Sequence, residues 1–105
     1  MINMANPIDD SNYLWREETS EGHTRIGLND EARNQIGQIS YASFPKNLNE
    51  VKIGEEFFSF EGAKAVEDIH SPQSGKVARV NTELLDHPDY LNDADKEKNW
   101  IIELY

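Results

Sequence analysis

The chain has 105 residues, twenty acidic against ten basic, and a formal charge of −10 at pH 7; that length supports one domain with one modest core, and that charge disfavours a nucleic-acid backbone unless a basic patch exists. No patch is visible, because the lysines and arginines are scattered and the densest run, DADKEKN at 93–99, alternates in sign. The absence of cysteine excludes disulfides, thiolate metal sites and a cysteine nucleophile.

Residues 1–12, opening MINMANPIDD, contain no basic n-region, apolar h-region or membrane-length run, so they are read as a short disordered leader to a domain over 13–105 in the cytoplasm. Residues 13–28 predict two strands joined at SEGH, where Gly22 supplies the freedom of a tight turn. Asn29 is then a suitable N-cap, Asp30 and Glu31 complement the helix dipole, and Gly37 is placed to stop the helix. Leu28, Ala32 and Ile36 recur every four residues and give that helix one apolar face. QISYASFP predicts a strand with Ile39, Tyr41 and Ser43 on one side, closed by Pro45. In KNLNEVKIGEEF, Val51 alternates with Ile53 before a turn at Gly54.

FFSF and VEDI predict two strands separated by GAKA, too short for anything but a turn, which places Lys64 at a hairpin tip. SPQSG at 71–75 is turn chemistry, and KVARVN predicts a strand with Val77 and Arg79 facing opposite to Ala78 and Val80. TELLDHPDYL predicts a short helix interrupted by Pro88, and Trp100, Ile101, Ile102 and Leu104 a final buried strand. Six or seven closely spaced strands with two small helices make a mainly β chain, a β-sandwich with helical additions.

The motifs of nucleophilic, metallopeptidase and nucleotide chemistry are missing, and the six glycines stand apart. His23, His70 and His87 lie in different elements and are read as surface or half-buried rings rather than metal ligands. Asp93, Asp95 and Glu97 resemble a calcium loop only superficially, since Lys98 stands where the loop requires Gly and Leu104 where it requires Glu. Asp86, His87 and Asp89 suit helix-end and turn preferences around Pro88. The adjacent pairs Glu17–Glu18 and Glu55–Glu56 point to opposite strand faces and make poor acid/base couples. Spacing alone leaves Lys64 open between an ordinary solvated turn lysine and an amine offered, between the small neighbours Ala63 and Ala65, to a modifying enzyme.

From residue 13 onward the chain resembles the glycine cleavage system H protein family of lipoyl carriers. The matching stretches are IGLNDEARNQIGQISYASFP, EVKIGEEF, the run Glu61-Gly62-Ala63-Lys64-Ala65-Val66 with Asp68, SPQSGKVARVN, and Asn99-Trp100 before the final isoleucines. The resemblance implies a lipoyl/biotinyl-type β-sandwich, or barrel-sandwich hybrid, with short flanking helices. It implies lipoic acid in amide linkage on Lys64 and no catalytic or metal site, so that a non-enzymatic protein presents a cofactor that carries the redox and group-transfer chemistry. Glu61, Ala63, Ala65 and Asp68 match positions around the attachment lysine, and Gly54 and Gly75 match positions that shape the hairpin. Biotin carriers share the fold but have methionines beside the lysine, so lipoate is the expected group.

One departure from the family stands at the N-terminal side. Tyr13-Leu14-Trp15 replaces the His-Glu-Trp typical of glycine-cleavage members, and leucine cannot accept a hydrogen bond from an aminomethyl group. That change resembles H-like carriers that work beside a lipoate ligase, a macrodomain protein and a sirtuin-type ADP-ribosyltransferase in oxidative stress. The expected role is therefore a lipoyl carrier in such a stress-response system, with the glycine cleavage decarboxylase and aminomethyltransferase as the alternative partners. A carrier that visits several enzymes is expected to be a monomer without membrane or nucleic-acid contacts.

Overall fold

The computed structural model describes residues 11–105. Of the leader expected over 1–12, residues 1–10 lie outside the described residues, and Ser11 and Asn12 belong to a 3-10 turn, Ser11–Tyr13. Strands β1 (Leu14–Glu18) and β2 (Thr24–Leu28) form the first hairpin, with Leu14 opposite Leu28. Gly22 turns it with φ 81°. Helix α1 (Asp30–Ile36) follows at once. The Asn29 side chain accepts from the Ala32 N–H at 3.0 Å, and Gly37, at φ 82°, donates its N–H to Arg33 O to end the helix. Ala32 and Ile36 are buried with Leu28, as the four-residue spacing predicts.

The remaining elements are β3 (Ile39–Ser43), β4 (Glu50–Val51), β5 (Glu56–Gly62), β6 (Val66–His70), β7 (Gly75–Val80), α2 (Glu83–Asp86), a 3-10 helix Pro88–Asn92, α3 (Lys96–Asn99) and β8 (Trp100–Leu104). One sheet has the order β1-β2-β8-β7-β4 and the other β3-β5-β6, with every pairing antiparallel. The mainly β architecture with short flanking helices is thus observed. Between the sheets, Ile26, Leu28, Ile102 and Leu104 from the first meet Ile39, Phe58, Phe60 and Ile69 from the second in one core. Phe57, Phe58 and Phe60 are fully buried, and at roughly 1.5–3 kcal/mol for each buried aromatic they anchor β5 firmly.

Several alternation expectations fail, and bulges account for two of them. Ile39 pairs with Gly62 but Tyr41 with Glu61, so Ser40 is an extra residue. Tyr41 consequently faces solvent while Ile39 and Ala42 are buried. Val77 pairs with Leu104 and Arg79 with Glu103; Ala78 is extra there, and Val77 and Val80 both pack on the core while Arg79 is exposed. The same device between Glu56 and Phe58 lets consecutive Phe57 and Phe58 both be buried. Val51 is buried, but Ile53 lies beyond the two-residue β4 and is half exposed. Helix α3, unforeseen in the alternating charges of DADKEKN, is capped by Asp95, whose side chain accepts from the Glu97 N–H at 2.9 Å.

Candidate functional site: a braced lysine hairpin

Strands β5 and β6 pair up to Glu61 opposite Val66, and the Gly62 N–H donates to Ala65 O at 2.9 Å. Lys64 therefore occupies the tip of a tight hairpin, exposed to solvent, as the sequence predicts. Ala63 is also exposed, whereas Ala65 is half-buried against the core and pins the returning strand.

The tip does not stand free. The Lys64 N–H donates to Ile36 O and the Ala63 N–H to Gln38 O, each at 2.9 Å. Ile36 is the last residue of α1, where helix carbonyls have no partners of their own within the helix, and Gln38 lies just past the Gly37 cap, between α1 and β3. The packing demands glycine at position 62 and is tight at 37, where the positive φ already favours glycine. A Cβ at Gly62 would overlap Ile36 Cγ2 and come within 2.7 Å of Ile36 O; one at Gly37 would lie 3.3 Å from Ala63 Cβ and 3.4 Å from Lys64 Cγ. Gly37, read from the sequence only as a helix stop, thus also seats the tip. Nothing in a single sequence distinguishes those two duties.

Beyond this anchored backbone, the Lys64 Nζ makes one long hydrogen bond, 3.4 Å to Asn34 O. Glu61 and Asp68 are exposed on the outward face of the three-stranded sheet, where Asp68 accepts from Ser59 Oγ at 2.8 Å. Gly54, at φ 85°, donates its N–H to Ser71 O at 2.8 Å and turns the chain into β5. Gly75 begins β7 where a Cβ would meet Leu104 Cβ at 3.0 Å. Both support the sheets that carry the hairpin rather than touching Lys64. Leu14 is buried against the core, paired with Leu28 just before α1.

A second polar cluster lies on the other sheet. Glu103 is buried, with His23 Nδ1 at 2.7 Å from its Oε2 and Arg25 Nη2 and Arg79 Nη2 at 3.2 and 3.5 Å from its Oε1. Burial works against the charged form, but hydrogen bonds from His23 and Arg25 and the charges of Arg79 and Arg25 outweigh it, holding the carboxyl below its usual range. Ligand atoms of Glu21, His23 and Glu103 lie within 4.8 Å of one another. The two guanidinium groups already supply the positive charge a metal ion would bring. Asp93, in the segment that resembles a calcium loop, accepts from the Asp95 N–H at 2.8 Å, and this backbone bond leads the causes that lower its pKa.

Fold and tip together define a class: small two-sheet β proteins that hold one lysine out on a braced turn. A family model described as glycine cleavage H-protein matches residues 8–105. The chain is 38% identical over 90 residues to a glycine cleavage system H protein of Oceanobacillus iheyensis, covering 86% of this chain and 71% of that one. It is 36% identical over 102 residues to one from Halalkalibacterium halodurans, covering 97% and 80%. A crystal structure of a glycine cleavage system H protein from Mycobacterium marinum superposes with a TM-score of 0.71 at 24% identity, over 91% of this chain and 80% of that one, and shares the fold. The chain belongs to the glycine cleavage H-protein family. No helix among the described residues is long and apolar enough to cross a membrane.

Proposed function

We propose that this protein is a lipoyl carrier of the glycine cleavage type, bearing lipoic acid on Lys64 and offering it to the decarboxylase and aminomethyltransferase. The observation that carries the reading is the exposed Lys64 amine on a backbone braced by α1, in a chain whose family and curated relatives are glycine cleavage H proteins. Those relatives favour this role over the stress-response role expected from Leu14. Acylation joins Nζ, as the free amine, to an activated lipoyl carbonyl supplied by a lipoate ligase; the activating group leaves and the nitrogen loses one proton. Nζ gives up little, because its one hydrogen bond is long and an amide retains an N–H.

The bound group would supply dithiol/disulfide and aminomethyl-carrying chemistry. The chain's own part is to hold the tip still and leave its amine accessible. Glu61, Ala63, Ala65 and Asp68 surround the attachment point in this reading, and the protein acts as a non-catalytic, monomeric, cytoplasmic carrier.

Intact mass after co-expression with a lipoate ligase is expected to rise by one lipoyl increment in wild type and not in Lys64→Arg. An unmodified wild type would refute the assignment. A second reading has one observation in its favour: Leu14 is an apolar, buried residue where glycine-cleavage members typically carry a glutamate. Under it the lipoylated protein serves a sirtuin-type ADP-ribosyltransferase and a macrodomain protein. Glycine–bicarbonate exchange with the decarboxylase separates the two, since full activity supports the first and its absence in a lipoylated sample the second.

A further inference from the structure

Among the described residues the large exposed apolar side chains are Tyr41, Ile53, Val66, Leu85 and Tyr105. Single exposed apolar residues are ordinary, but two of these share a row. Tyr41 on β3 is opposite Glu61 on β5, and Glu61 is opposite Val66 on β6. Directly opposed residues point to the same face, and two strand spacings separate the ends of the row by about 10 Å. Tyr41 is 58% and Val66 64% exposed. In the next row, Ser59 Oγ donates to Asp68 at 2.8 Å, with the Glu56 carboxylate, three residues back on β5, as the alternative acceptor at 3.2 Å. The three strands contain no lysine or arginine. The outward face is thus an apolar pair interrupted and flanked by carboxylates.

Its position gives the face meaning. The Glu61–Val66 pair is the base of the turn that carries Lys64, so a catalyst reaching Nζ must lie against a flank of this hairpin. One flank is filled by the end of α1 and the residues just past its cap, through Ile36 O and Gln38 O. The outward face of β3, β5 and β6 is the open flank.

We propose that the row Tyr41, Glu61 and Val66 is the docking surface for the enzyme that acylates Lys64, which meets it with an apolar centre rimmed by arginine or lysine. The proposal rests on the reading of Lys64 as the acylated amine. Tyr41 enters the surface only because the bulge at Ser40 turns it outward.

The test uses the full chain with a lipoate ligase, lipoate and ATP, measuring initial rates for wild type, Tyr41→Ser, Val66→Ser, Tyr41→Phe and, away from the face, Leu85→Ser. Each serine variant is expected to raise KM for the carrier about 3–10-fold at unchanged kcat, on the scale of a moderate interface contact. Tyr41→Phe should restore most of the affinity and Leu85→Ser should leave it unaltered. Near-UV circular dichroism and denaturation midpoints confirm that the variants are folded. Wild-type KM in both folded serine variants would overturn the docking surface while leaving Lys64 as the acceptor. Absence of acylation in wild type would overturn both. An effect confined to binding of the glycine decarboxylase would assign the face to another enzyme and also overturn this one.

Discussion

Glu103 shows how much one buried carboxylate can hold. It sits on β8 between Arg25 on β2 and Arg79 on β7, directly opposite both, and both guanidinium groups lie over the Trp100 ring, 4.7 and 5.3 Å from its centroid. Because its folded pKa is depressed, its contribution is present above the unfolded carboxylate pKa and is lost as pH falls through the folded one. Glu103→Gln is expected to cost about 3 kcal/mol near neutral pH, the scale of a broken buried ion pair. Denaturant unfolding at a series of pH values should show the gap between wild type and variant closing below the ordinary carboxylate range; a gap independent of pH would show the charge to be immaterial. The sequence displays Glu103 as one acid in a hydrophobic strand, while its partners are 24 to 80 residues away and no local pattern points to them.

At the scale of elements, α1 and the β5–β6 hairpin behave as one unit, since the last helix carbonyl, Ile36 O, and that of Gln38 just past the cap accept from the amides that make the tip. Weakening the helix at its far end should therefore loosen the lysine turn. Asn29→Ala removes the N-cap acceptor and is expected to destabilise the protein by about 1 kcal/mol. Hydrogen exchange should show the Ala63 and Lys64 amides losing more protection than the paired amides of β2 and β8; equal losses everywhere would argue against the coupling. Both elements were legible beforehand, the helix from its cap, spacing and glycine stop, the hairpin from two apolar runs around GAKA. Their contact was not, because it joins backbone groups that any residue possesses. The bulges at Ser40 and Ala78 were equally hidden: a strict two-residue period predicts the wrong face for Tyr41 and Val80, and the extra residue is revealed only by its partner strand.

For the whole molecule, the charge of −10 has two consequences. Self-repulsion opposes the compact state and is screened by salt, so raising NaCl at pH 7 from low to about 0.5 M should lift the midpoint of thermal unfolding by about 2–5 °C, the shift that somewhat under 1 kcal/mol produces in a domain of this size. A fall instead would mean that attractive pairs such as those at Glu103 dominate. Acylation of Lys64 would remove one positive charge and take the formal charge from −10 to −11, strengthening long-range attraction to basic partner faces.

The sequence by itself determined the strand-rich class, the first helix with both its caps, and the turn that holds Lys64, because each depends on residue types within a few positions of one another. The specific run around that lysine also carried the family. Only the tertiary structure decided that α1 braces the turn, that Tyr41 and Val66 share an outward row, and that Glu103 gathers two arginines and a histidine. Those relations join residues far apart in the chain, through register and backbone hydrogen bonds that side-chain identity does not encode.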